Sequence, residues 1–361
     1  MKAVILVGGK ATRLLPLTSN TPKAMVPVLN TPFLEHVIRH LSQHGVAEIT
    51  LAQSHQQQAI ESYFQDGKRF GVRLNYNIEN SPLGTAGAVK NAEKCLTEAF
   101  LVLNGDIFTD LDFSAMIEFH RQQEAKATIA LTPVDDPTSY GLVDTNSQGR
   151  ISRFLEKPKA DEITTNMINA GTYILEPDVL THIPPETNFS FERELFPFLL
   201  ERGEAVYGYS SSAYWTDIGT PQKYLQLHRD LLSGQSNRYP PPSSAGIIAN
   251  KGSRIHPTAE IEGRALIGAN STVGERVKLR GTVVIGSDCA VGEEATIEDA
   301  IIWQNTRIGS KSTVRNSILA DNCCLESNCV IKDSILGDNV TVVSGGQLKP
   351  GSKIQPGEVV G

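Results

Sequence analysis

No stretch of the sequence approaches the roughly 20 consecutive apolar residues needed to cross a bilayer. The short run Ala3–Val7 is stopped by Gly8-Gly9, so it reads as a buried strand rather than a signal peptide. Excess positive charge is also missing. The formal net charge is −7, which argues against a nucleic-acid binder, since such proteins usually carry a basic surface. A single nucleotide is not excluded, because a phosphate pocket needs only a few local donors. The chain has only five cysteines, Cys95, Cys289, Cys323, Cys324 and Cys329, and no CxxC pair. A disulfide framework and a thiolate metal site are therefore both disfavoured. The plain reading is buried free thiols in a reducing cytoplasm. Neither the GxxxxGK[ST] phosphate loop nor the GxGxxG dinucleotide fingerprint is present.

A change of period divides the chain. Up to about residue 230, apolar strands alternate with helical patterns: Ala3–Val7, Glu48–Ala52, Leu74–Ile78, Phe100–Leu103 and Thr128–Thr132 as strands, and Pro32–His44 as a helix with Phe33, Val37, Ile38 and Leu41 on one face. This alternation predicts a Rossmann-like α/β domain with a mixed, mostly parallel sheet and flanking helices. In such sheets ligands bind at the carboxyl ends of the strands. His36, His40 and His44 share one side of the helix at i, i+4 and i+8, and are expected on its solvated face. A segment rich in Pro, Ser and Gly follows, including Pro240-Pro241-Pro242-Ser243-Ser244, and reads as a linker. The expected division is a first domain over 1–232, a linker over 233–252 and a second domain over 253–361.

Beyond the linker the period is six. Ile255, Ile261, Ile267, Val273, Leu279, Ile285, Val291 and Ile297 recur in steps of six, and a five-residue step leads to Ile302. The series continues through Ile308, Val314, Leu319, Leu325, Ile331, Leu336, Val342, Leu348, Ile354 and Val360, with two further five-residue steps. A hexapeptide repeat of this kind predicts a parallel β-helix of about six coils, with one aliphatic side chain pointing inward per face. The glycines that follow the aliphatic positions, such as Gly268, Gly274, Gly286, Gly292 and Gly309, are expected at corners that need positive φ.

Candidate site residues follow the strands. Gly8-Gly9-Lys10-Ala11-Thr12-Arg13 succeeds the first strand, and Lys23 lies ten residues on from Arg13. Free backbone N–H groups in such a turn cradle phosphate oxygens. Arg13 adds a bidentate phosphate donor and Lys23 a compact charge. Ser81–Ala88 forms a second Gly-rich turn, where Gly84 and Thr85 could face a nucleobase, with Glu79 or Gln53 at the base edge; the blander possibility is a turn with Thr85 as a helix cap. Asp106 ends an apolar strand and Asp217 precedes a turn, positions that suit Mg²⁺ held by one or two carboxylates plus phosphates.

Taken together and in order, these segments resemble the sugar-1-phosphate nucleotidyltransferase family. Its signature L-x-G-G-x-G-T-R-L-x-P-L-T followed by a P-K pair is met by Leu6–Thr18 and Pro22-Lys23, except that Ala11 stands where the family usually has Gly. Further matches are Leu83–Gly87, Gly105-Asp106, Tyr140-Gly141, Glu156-Lys157-Pro158, Asn169-Ala170-Gly171 with Tyr173, and Trp215 with Asp217-Ile218-Gly219. The set spans residues 3 to about 225. The repeats fit the members that carry a C-terminal left-handed β-helix. Overall the chain looks most similar to the mannose-1-phosphate guanylyltransferases, partly through Phe191–Pro197.

The resemblance implies that an NTP and a sugar 1-phosphate give an NDP-sugar and pyrophosphate. GTP and mannose 1-phosphate are favoured, with glucose and UTP or dTTP as the alternative. It implies that Gly8, Gly9, Lys10, Thr12 and Arg13 hold the triphosphate, and that Lys23 stabilises the α-phosphate. Gln53, Glu79, Gly84 and Thr85 would serve the base. Asp106 and Asp217 would hold Mg²⁺, and Lys157 the sugar phosphate, with Gly141, Glu156, Asn169 and Gly171 around the sugar. Two rival readings stand beside it. One is a regulatory subunit that binds a nucleotide sugar without turnover, supported by Ala11. The other is a β-helix acyltransferase, for which His256 is the one available histidine in the repeat region. A cytoplasmic homo-oligomer assembled through the β-helix is expected.

Overall fold

The structure, a computed structural model, describes the chain apart from Lys10, residues 54–56, Asn80 and residues 240–245. Among the described residues no helix is long and apolar enough to cross a membrane. The chain forms two compact units, Met1–Lys10 with Leu34–Thr216, and Ala11–Phe33 with Asp217–Gly361.

The first unit is built on a mixed sheet. Strand Lys2–Leu6 lies between Glu48–Gln53 and Phe100–Asn104 and is parallel to both. Arg73–Ile78 adds in parallel beyond Glu48–Gln53. On the other side, Met167–Leu175 pairs antiparallel with Phe100–Asn104 and with Ala127–Pro133. The central strands are apolar throughout because both sheet faces are covered: Val4, Ile5, Leu101 and Val102 have no exposure. The helix Phe33–Gln43 buries Leu34, Val37, Ile38 and Leu41 as its period requires. Its histidines correct the expectation of a solvated face. His36 and His40 are buried, with His36 beside Phe108, and His40 packed on Phe113 with its Nε2 2.9 Å from the Leu111 carbonyl. The aromatic side chains that cover them lie some seventy residues away in sequence, outside the reach of a helical-wheel argument. No cluster of metal-ligating side chains occurs among the described residues. The thiols are free, but Cys95 is exposed rather than buried.

The second unit is a parallel β-helix joined by residues 11–33 and 217–233. Glu260 pairs with Lys278, eighteen residues on, which is three faces of six. Where a five-residue step intervenes the repeat shortens to seventeen, as in Thr296 with Thr313 and Cys324 with Thr341. All nineteen positions of the aliphatic series, from Ile255 to Val360, line one core, and those from Ile267 to Val342 are buried. One face stacks seven strands among the described residues. The strand Ile247–Ala249 already pairs with Glu260–Ile267, so the β-helix begins within the stretch read as linker.

The corner glycines need correcting. Gly268, Gly274, Gly286, Gly292 and Gly309 do not have positive φ; Asn270, Arg276, Asp288, Glu294 and Lys311, two residues further on, do. The glycines serve close stacking between coils. A Cβ on Gly286 would lie 2.5 Å from the Gln304 nitrogen, and one on Gly292 2.7 Å from the Ser310 nitrogen.

Residues 11–33 are tied to the β-helix by named bonds. Asn20 donates to Asp338 at 3.0 Å and Asn30 to the Ile285 carbonyl at 2.8 Å. Buried Trp303 donates to the Tyr224 hydroxyl at 3.1 Å, and that hydroxyl donates to the Pro27 carbonyl. These contacts are why residues that precede the linker in sequence belong to the same compact unit as the repeats.

Candidate active site

In the sheet unit, three expected positions emerge at the carboxyl ends of adjacent parallel strands: Gly8-Gly9 after Lys2–Leu6, Gln53 at the end of Glu48–Gln53, and Asp106 just beyond Phe100–Asn104. The turn at Gly9 is left-handed, with φ of 117°, and open space lies where a Cβ would be. Gly105 is needed for space, since a Cβ there would strike the Leu6 carbonyl oxygen. Gln53 is 1% exposed, and among the described residues neither polar atom of its side chain has a hydrogen-bond partner. A buried primary amide with both functions unmet is costly in isolation, and it suits a ligand that offers a donor and an acceptor edge. Lys10 lies outside the described residues.

Glu79 accepts the Leu83 N–H at 3.1 Å, and burial pushes its carboxyl above the ordinary range. Gly84 has φ of 71°, and a Cβ there would lie 2.7 Å from the Phe189 carbonyl oxygen. Thr85 does not cap the following helix; Leu83 occupies that position. Its hydroxyl donates to Glu192 at 2.9 Å and accepts the Phe191 N–H at 2.9 Å. What this turn can offer a base is therefore mainly backbone.

Three more elements converge further along the sheet. Gly141 pairs with Glu156 across two antiparallel strands, and a Cβ on Gly141 would lie 3.1 Å from Glu156 Oε2. Burial, and then the nearby Glu192 carboxylate, raise the Glu156 carboxyl, opposed by Lys157 and Arg193. Lys157 is exposed, adopts φ of 54°, and donates its N–H to the Tyr140 carbonyl at 2.9 Å. Asn169 and Gly171 sit in a bulge of Met167–Leu175. Gly171, at φ of 69°, donates to Asn169 Oδ1 at 2.9 Å, and a Cβ on it would lie 2.7 Å from Asn104 Nδ2. Sequence reasoning missed Asn104 and Glu192. Glu192 lies in a single π-helical turn, Phe191–Leu195, whose first N–H groups are capped by Ser190. π-turns recur at functional sites; the segment Phe191–Pro197 carried part of the family resemblance, but nothing in it singled out Glu192.

The remaining expected residues belong to the β-helix unit. Ala11 has φ of 43° and ψ of 35°, a left-handed conformation, and its carbonyl accepts from Thr18 Oγ1 at 3.0 Å and from the Leu14 N–H. It leads into the turn Thr12–Leu14, and Lys23 opens the turn Lys23–Met25. Asp217 is buried. It accepts the Gly219 N–H at 2.8 Å and pairs with Lys223. A Cβ on Gly219 would lie 3.0 Å from Arg13 Nη2, which puts the guanidinium beside the Asp217–Gly219 turn.

This arrangement meets its counterpart in known proteins. The family described as Nucleotidyl transferase matches residues 2–234, and the one described as EIF2B subunit epsilon LbH domain matches residues 245–348. The chain belongs to the nucleotidyl transferase family, and its repeats form a left-handed β-helix. It is 36% identical to the mannose-1-phosphate guanylyltransferase of Mycobacterium tuberculosis, over 77% of each chain. It is 34% identical to the UTP–glucose-1-phosphate uridylyltransferase of Synechocystis, over 85% of this chain and 84% of that one. Among solved structures, HddC from Yersinia pseudotuberculosis complexed with GMP-PN aligns with a TM-score of 0.55 and 32% identity, covering 63% of this chain and 98% of that one.

Proposed function

We propose that the chain joins GTP and mannose 1-phosphate into GDP-mannose and pyrophosphate. The observation that carries this reading is the grouping of Gly8-Gly9, Gln53 and Asp106 at neighbouring strand ends of the sheet. Identity to a mannose-1-phosphate guanylyltransferase supports the choice of substrates.

The sugar phosphate oxygen attacks the α-phosphorus as the bond to pyrophosphate breaks. The nucleophile is already an anion at neutral pH, so no general base is required. The difficulty is bringing two anions together, which positioning and charge neutralisation overcome. In this reading Gly8, Gly9, Thr12 and Arg13 hold the triphosphate and Lys23 the α-phosphate. Gln53, Glu79, Gly84 and Thr85 face the base. Lys157 takes the sugar phosphate, and Gly141, Glu156, Asn169 and Gly171 surround the sugar. A carboxylate is a hard donor of the kind a divalent cation takes. Asp106 and Asp217 would hold Mg²⁺, which when bound neutralises phosphate charge. Lys223 on Asp217 then acts as a competing cation, so metal affinity should rise when Lys223 is neutralised.

The catalytic domain is proposed to run over 1–232, followed by a linker that ends before Ile247, where the first β-helix strand begins, with the β-helix serving homo-oligomer assembly in the cytoplasm. Exposed Val343 and Val359 on the repeats suit such contacts. A second reading, glucose 1-phosphate with UTP, is favoured by the larger share of the chain that aligns with the Synechocystis uridylyltransferase. Competition decides between them. With GTP, UTP and both sugar phosphates in one reaction, GDP-mannose should dominate by chromatography; UDP-glucose as the main product would overturn the first choice.

A further inference from the structure

Asn169 can present its side-chain amide to a ligand in either of two orientations, and the fold selects one. The Gly171 N–H, at 2.9 Å, requires the oxygen of Asn169 on its side. Nδ2 is thereby directed to the Tyr173 hydroxyl at 2.9 Å. A hydroxyl that accepts from Nδ2 must send its own proton elsewhere, and Glu192 Oε1 lies 3.1 Å away to receive it. Tyr173 is fully buried, and burial followed by the Glu192 charge raises its hydroxyl well above the ordinary range, so the proton stays in place. Glu192 is itself fixed by hydroxyl donors, Ser190 at 2.7 Å and Thr85 at 2.9 Å.

From this we infer that Tyr173 and Glu192 are positioning residues. They form a one-way hydrogen-bond relay that locks Asn169 with one N–H left to donate to a sugar hydroxyl, and the same carboxylate anchors Thr85 in the turn assigned to the base. The inference rests on the proposed role of Asn169 at the sugar. It deepens that role by fixing the polarity of the contact: Asn169 serves the sugar as a donor. It also explains the half-buried carboxylate. Glu192 is the acceptor at which every hydrogen bond of the relay ends.

Tyr173→Phe removes both the acceptor for Nδ2 and the donor to Glu192 while keeping the ring. The expected result is a rise of about tenfold in the KM for sugar 1-phosphate, the size of one lost hydrogen bond, with the KM for the nucleotide nearly unchanged. In an Asn169→Ala background the same substitution should leave the KM unmoved, because the relay acts only through Asn169. A rise that persists in that background would mean general loosening and would overturn the relay. Glu192→Gln keeps an oxygen for Tyr173 and should raise the KM for sugar 1-phosphate less than Glu192→Leu, which should raise it as Tyr173→Phe does and raise the nucleotide KM as well, because it also removes the acceptor of Thr85. The side-chain amide of Asn169, followed by NMR in protein labelled with ¹⁵N-asparagine, gives a readout that does not need turnover. Its resonances should shift in Tyr173→Phe and Glu192→Leu; unmoved resonances would overturn the relay in an active or an inactive protein. A wild type without activity on any substrate pair would count against the nucleotidyltransferase reading alone.

Discussion

The β-helix and the sheet unit use left-handed backbone differently. In the β-helix, left-handed corners fall on Asn270, Asp288, Asn305, Asn322 and Asn339, and even on Arg276, Glu294 and Lys311. Each non-glycine residue there costs on the order of 1 kcal/mol, reduced for Asn and Asp by local hydrogen bonding. Glycine stands at positions such as Gly286 and Gly292, where the next coil leaves no room for a Cβ, and at Gly345, Gly351 and Gly357, where φ is positive and the space is open. In the sheet unit, Gly84 and Gly171 meet both demands at once, a left-handed φ and a neighbour within 3 Å of the point where a Cβ would stand. Repeat glycines such as Gly263 and Gly281 meet both demands as well, so the lesson is that a left-handed φ and a lack of room are separate reasons for glycine, and most β-helix corners impose only the first. Ala11 belongs with the β-helix corners in this respect: it is left-handed and is not glycine.

The largest expected effect tests the site side of that contrast. Arg13→Ala or Lys23→Ala should lower kcat by at least roughly a hundredfold, as when one transition-state charge contact is lost, with the melting temperature little changed. A near wild-type kcat in a folded variant would remove these roles. Next, Gly286→Ala should destabilise the protein by about 1–3 kcal/mol, the usual cost of overpacking, while Asn305→Gly, at a corner with open conformational demand, should not; equal losses in chemical denaturation would erase the distinction between stacking and corner positions. Ala11→Gly should have a smaller effect. Relief of about 1 kcal/mol of strain is partly offset by the greater freedom of glycine in the unfolded chain, about 0.4–1 kcal/mol. Stability should hold or rise slightly and turnover should not fall; a clear loss of stability would contradict the left-handed assignment.

The smallest effect concerns pH. Burial, and then the neighbouring Asp338, push the Asp321 carboxyl up to about 6. A carboxyl with a raised folded-state value is protonated more readily folded than unfolded, so its contribution to stability is present at low pH and is lost as pH rises toward about 6. Asp321→Asn should flatten that part of the stability profile. An unchanged slope would show that the Asp321 carboxyl is not raised by burial and Asp338 as described.

The β-helix was legible because one rule, an aliphatic residue every five or six positions, is repeated often enough to fix its own register. The five-residue steps even marked where coils shorten to seventeen residues. The glycines were misread because sequence cannot distinguish a residue chosen for φ from one chosen for space. The parallel strands and their carboxyl-end residues were also legible, since each motif sits directly after an apolar run. The Thr85–Glu192 bond was not, because it joins residues 107 apart, and local patterning carries no signal for such a pair. The attachment of Asn20, Pro27 and Asn30 to the repeats escaped for the same reason.

The most direct test of the account is pyrophosphate release with Mg²⁺, measured for GTP, ATP, UTP, dTTP and CTP, each with mannose, glucose, N-acetylglucosamine and galactose 1-phosphates. The account predicts release that depends on the sugar phosphate and is fastest with GTP and mannose 1-phosphate. Silence across the panel, from folded protein that still binds a nucleotide sugar, would contradict it and point to a regulatory subunit, with Ala11 as the first residue to revert to glycine.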